Sequence, residues 1–145
     1  MAKAIIIKKN GGPEVLELQD VKVGSPGPDE IKVTNYAIGL NYIDTYHRSG
    51  LYPLPLPSGI GLEAAGKVDE VGENITEFNK GDNIAYAAIP IGAYSQQRII
   101  PAKIAVKIPH GISHEAENCK AHSTWPCCQQ KGVNLYGNAK AAFSR

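Results

Sequence analysis

The first 118 residues of this 145-residue chain contain no cysteine. All three cysteines, Cys119, Cys127 and Cys128, lie in the last 27 positions beside the only tryptophan, Trp125. An odd number gathered at one end excludes a disulfide framework. Long apolar runs are also missing. Ala4-Ile5-Ile6-Ile7, set between lysines, is too short for a secretory core and has no small-residue cleavage site after it. Nothing approaches the roughly 20 apolar residues of a membrane span. A cytoplasmic address is therefore the expectation, with no membrane partner. Neither charge sign dominates: 15 basic residues against 14 acidic ones leave a net charge of +1, and no stripe of Lys and Arg forms. That removes the electrostatic footprint of nucleic-acid binding. No repeat and no low-complexity tract is found.

What is present suits one soluble domain. Hydrophobic residues at 43% and charged residues at 20% are globular rather than disordered values. The 15 Gly and 10 Pro favour turns over helices. Lys3 to Lys8 reads as a strand and Val15 to Gln19 as a second, joined through Asn10-Gly11-Gly12-Pro13 into a hairpin. Glu30 to Ile38 alternates Ile31 and Val33 against Lys32 and Thr34, a half-buried strand. Further strands are expected at Glu63 to Gly72, Asn83 to Ala88, Gly92 to Pro101 and Ile104 to Ile108, with Lys80-Gly81-Asp82 as a turn.

One segment is helical. Asn41 is a good N-cap, Asp44 falls in the first turn, Arg48 in the last, and Gly50 stops the helix at Ser49. The spacing places Tyr42 over Tyr46 and Ile43 over His47. The following Tyr52-Pro53-Leu54-Pro55-Leu56-Pro57 is held extended by its alternate prolines. The pattern is mainly β with short helices, barrel-like or partly open. From Ser113 onward a helix can open, but Pro126 and the scattered Gly and Asn sustain no period.

The segments Ala37-Ile38-Gly39-Leu40-Asn41-Tyr42-Ile43-Asp44-Thr45-Tyr46-His47-Arg48-Ser49-Gly50-Leu51-Tyr52 and Gly59-Ile60-Gly61-Leu62-Glu63-Ala64-Ala65-Gly66-Lys67-Val68 resemble the quinone oxidoreductases. So do Lys80-Gly81-Asp82-Asn83-Ile84-Ala85-Tyr86 and Gly92-Ala93-Tyr94-Ser95. These are zinc-free, zeta-crystallin-like members of the medium-chain dehydrogenase/reductase superfamily. The resemblance implies a GroES-like, partly open β-barrel over 1–115 and a divergent tail over 116–145, expected to be poorly ordered. It implies hydride transfer from NADPH to a small-molecule quinone. Asn41, Tyr46 and Tyr52 would be catalytic, and Tyr42, Ile43, Asp44, Thr45 and Tyr46 would line the cofactor side.

The departures from that pattern carry equal information. The positions of Asn41 and Leu62 are a cysteine and a histidine in zinc-dependent relatives, so two of about three ligands are lost and no metal is expected. No G-x-G-x-x-G follows a strand, so a Rossmann domain is absent and dinucleotide binding by this chain alone is expected to be weak. After Glu115 the composition turns to Cys, Trp, Pro and Gln, as a truncated or frame-shifted gene product would. A non-catalytic β-barrel interaction module, an inactive product, homo-oligomer formation, or pairing with a full-length relative are the alternatives. Plainer roles also stand beside the sharp ones. Asn41 works as a helix cap, Tyr46 and Tyr52 as half-buried aromatics, Glu63 as a carboxylate satisfied by backbone amides, and His47 and His110 as surface or cap residues. Cys119, Cys127 and Cys128 with His114 and His122 lack Cys-x-x-Cys spacing and predict no metal site.

Overall fold

A computed structural model describes residues 1–109 of the chain. The expectations for the helix at Ser113 and for the tail over 116–145 fall outside that range. The first strand, β1 (Ala2–Ile7), pairs antiparallel with β2 (Glu17–Val21), as the hairpin reading requires. Pro13–Val15 forms a 3-10 turn within the connection, with Pro13 at its start, where a missing N–H costs nothing. β3 (Glu30–Ile38) follows, then the helix α1 (Tyr42–Ser49), the two-residue β4 (Ser58–Gly59), and β5 (Glu63–Val71). β6 (Asn83–Ala87), β7 (Gln97–Pro101) and β8 (Ala105–Lys107) complete the elements.

Two sheets result. One runs β2-β1-β4 and the other β7-β3-β5-β6-β8, with antiparallel pairing throughout. They are stitched along the segment before β7. Ile5 N–H donates to the Tyr94 carbonyl at 2.8 Å, and Gln96 N–H donates to the Lys3 carbonyl at 2.8 Å. Among the described residues the fold is mainly β with one α-helix, and the sheets do not close into a barrel. The strand expected from Gly92 begins only at Gln97, because residues 92–94 instead pair with the chain at 60 and 61. Gly92 and Ala93 N–H both bond the Gly61 carbonyl, and Tyr94 N–H bonds that of Ile60.

β3 shows how sequence sets the core. Ile31 and Val33 alternate inward, and Asn35 continues that face. A register shift between Asn35 and Ala37 then breaks the period, so Tyr36 is exposed while Ala37 and Ile38 are both buried. Asn35 is tolerated inside because its amide is fully used: it donates to the Ala93 and Ser95 carbonyls and accepts from the Tyr86 hydroxyl at 3.1 Å. Ile5, Ile60, Val68, Phe78, Ile84 and Ile100 belong to the main core.

Gly66, at the centre of β5, lies so close to β3 that a Cβ there meets the Thr34 carbonyl oxygen and comes within 2.9 Å of the Asn35 Cα. Both contacts are backbone and cannot rotate away. Gly66→Ala is expected to cost about 3 kcal/mol in urea unfolding, at the upper end for overpacking. Gly24→Ala, which meets nothing within 4 Å, is expected to be neutral or stabilising by up to about 1 kcal/mol.

Candidate functional site

The helix α1 begins where β3 ends, and its first turn is set by two residues. Asn41 stands at the N-cap with extended backbone, φ −119° and ψ 149°. Its N–H donates to Asp44 Oδ2 at 3.0 Å, and Asp44 N–H returns a bond to the Asn41 carbonyl at 3.0 Å. The far end closes on Gly50 in the left-handed region, φ 86°, whose N–H reaches the Tyr46 and His47 carbonyls. Tyr52 N–H then bonds the Tyr46 carbonyl at 3.1 Å, so the chain folds back and sets Tyr52 beside Tyr46.

The result is an aromatic ledge. Tyr42 and Tyr46 ring centroids lie 6.4 Å apart, and Tyr46 and Tyr52 lie 5.5 Å apart, edge to face. Tyr42 is 76% exposed, Tyr52 49% and Tyr46 37%. Ile43 and Thr45 are half-buried, and the Thr45 hydroxyl donates to the Tyr42 carbonyl. The structure thus brings Tyr42, Tyr46 and Tyr52 to one edge, while the Asn41 side chain turns to Glu63. Asp44, expected on the cofactor side, has its carboxylate turned into the core and is fully buried.

The opposite face of α1 docks through polar groups. Tyr94 O–H donates to Asp44 Oδ2 at 2.8 Å, while Asp44 Oδ1 has no hydrogen-bond partner. His47, expected at the surface or as a cap, is buried with Nδ1 unpartnered. The reason is that α1 lies across the 10–12 turn. Arg48 Nε donates to the Gly11 carbonyl, Gly11 N–H to the Arg48 carbonyl, and Asn10 Nδ2 to the His47 carbonyl. Asn41 Nδ2 donates to Glu63 Oε2 at 3.0 Å, so a side-chain amide from the helix start reaches the first residue of β5. Sequence spacing misses Tyr94 altogether, since it meets Asp44 from 50 positions away.

Among the described residues no group of three or more His, Cys, Asp or Glu is arranged to hold a metal. The cysteines, with His110, His114 and His122, lie outside that range.

Residues 27–110 match the profile of the alcohol dehydrogenase GroES-like domain. The chain belongs to that family. This GroES-like chain is 53% identical over 116 residues to a quinone oxidoreductase of Pseudomonas aeruginosa, covering 79% of itself and 36% of that protein. It is 46% identical over 117 residues to a 2-haloacrylate reductase of Burkholderia, covering 77% of itself and 35% of that protein. Among solved structures it matches an Escherichia coli quinone oxidoreductase complexed with NADPH, with TM-score 0.77 and 48% identity over 79% of this chain and 36% of that one. The GroES-like chain thus spans about a third of the length of the relatives it matches, and it corresponds to their N-terminal part.

Burial raises the Asp44 carboxyl from its ordinary 3.8 to about 6, against the lowering effect of the Asn41 and Tyr94 hydrogen bonds, and the Glu63 charge pushes the same way as burial. Because the folded-state value is the higher, the folded protein keeps a proton that the unfolded chain has already released. Stability from this group is full below pH 3.8 and declines as pH rises to about 6, by on the order of 3 kcal/mol. His47 acts with the opposite sign: burial lowers its value from 6.5, so its contribution is lost as pH falls below 6.5. Asp44→Asn keeps an acceptor oxygen but cannot ionise. In urea unfolding between pH 4 and 7, its stability relative to wild type is expected to rise by about 3 kcal/mol, and a constant difference would contradict the assignment.

Proposed function

We propose that this chain supplies the substrate-side domain of a zinc-independent, NADPH-dependent quinone oxidoreductase. The observation that carries the reading is the exposed ledge of Tyr42, Tyr46 and Tyr52 at one helix edge. Flat phenol faces suit flat conjugated rings, and their O–H groups suit an oxygen that gains negative charge. The NADPH complex of the Escherichia coli relative supports the choice of cofactor.

When bound, NADPH supplies a hydride, which with one proton reduces a quinone to its hydroquinone. The chain's own residues orient the partners and stabilise charge. Tyr42, Ile43, Thr45 and Tyr46 line the cofactor side, with Asp44 serving it from beneath by holding the helix. Tyr46 and Tyr52 face the quinone and donate to its oxygen, and the Asn41 amide stands beside them. Zinc independence rests on the same residues. The Asn41 amide is a weak neutral ligand already bonded to Glu63, and Leu62 offers only an alkyl group. Because the sequence carries no glycine-rich pyrophosphate turn after a strand, the domain by itself holds NADPH weakly.

Titration of the isotope-labelled chain with a fully substituted, thiol-unreactive benzoquinone is expected to shift backbone resonances of residues 41–52. Shifts centred on β2, or none at millimolar concentration, would defeat the reading. NADPH is expected to bind the chain more weakly than about 0.1 mM, and a micromolar constant from calorimetry would overturn that expectation.

A further inference from the structure

Asn41 sits between two buried carboxylates. Asp44 takes its backbone N–H at 3.0 Å, and Glu63 takes its side-chain N–H at 3.0 Å. Glu63 is 3% exposed, and its carboxylate lies where the end of β3 meets the start of β5. There Gly39 N–H donates to the Glu63 carbonyl at 3.1 Å. A Cβ on residue 39 would lie 2.6 Å from Glu63 Cδ and 2.8 and 2.9 Å from its two oxygens. The seat of the carboxylate therefore exists only because residue 39 is glycine.

We infer that Glu63 is a positioning residue for the Asn41 amide, seated by Gly39 and fixing the amide plane at the start of α1. The inference rests on the reading of Asn41 as a group of the reaction cleft. An asparagine amide otherwise turns through a broad range about its last torsion. A bond to a carboxylate is stronger than one to a neutral acceptor, and burial strengthens it further. With one N–H given to Glu63, the amide still has its second N–H. A ligand then meets a preset group, with no ordering left to be done on binding.

Two substitutions separate this role from general support of the fold. Gly39→Ala changes neither partner and presses only on the carboxylate end of a side chain, which moves aside. Glu63→Gln keeps shape and removes charge. In the full 145-residue chain labelled with 15N at asparagine, the Asn41 Nδ2 protons are expected to exchange with water about tenfold faster in both variants than in wild type. Backbone amide exchange of Ile31, Val33 and Val68 is expected to stay unchanged. The quinone titration is expected to weaken several-fold in both. Unchanged Asn41 exchange in the two variants overturns the inference. Should a variant fail to fold, wild type decides alone: an Asn41 amide exchanging as fast as free asparagine overturns it equally. Absence of quinone shifts at α1 in wild type removes the functional reading and leaves the Glu63–Asn41 lock standing, so the two failures are told apart.

Discussion

The position of α1 depends on one buried carboxylate. Asp44 accepts from the backbone of Asn41 at the helix start and from the hydroxyl of Tyr94 across the core. The first bond is local and starts the helix. The second is long-range and decides where that end sits against the sheets. Burying a carboxyl group is costly unless it is bonded, and burying it charged costs more. The protein meets both conditions by giving Asp44 two donors and a proton affinity high enough for it to be neutral in mildly acidic solution. The tyrosines on the far face are exposed because this face is held in.

The same logic recurs at Asn35, where a polar group inside the core joins β3 to β6 and to the segment at 93–95. Both tie points use residues 93–95, and that segment also carries the bonds between the two sheets. One short irregular stretch therefore serves three purposes: it joins the sheets, satisfies Asn35 and braces the helix. This accounts for its departure from strand geometry between Gly92 and Gln96. The ledge belongs to a chain that spans about a third of the length of its relatives, and its chemistry is proposed as that of one side of a cleft.

Much of the fold was legible in the residues. The β1–β2 hairpin, β3, β5, β6 and the bounds of α1 follow from alternation, turn chemistry and cap residues, all of which act within a few positions. The approach of Tyr42 to Tyr46 follows from helical spacing. Tyr52 was named from resemblance, and its approach to Tyr46 comes from the Gly50 turn. The misreadings share one cause. His47 looked like a surface residue because nothing nearby in sequence shows that the 10–12 turn covers it. Gly92 to Pro101 looked like one strand because its pairing to 60 and 61 is non-local.

The amino-acid order by itself determined where α1 and most of the strands begin, which face of β3 is apolar, and that Tyr42 and Tyr46 share one side of the helix. Each of these depends on torsional preference and period, which neighbouring residues set. Tertiary structure alone decided that Asp44 and His47 face inward, that Tyr94 and Glu63 hold the two ends of the Asn41 linkage, and that the sheets stay unclosed. Those outcomes depend on which distant groups can satisfy a buried donor or acceptor, and that is settled only once the chain has brought them together.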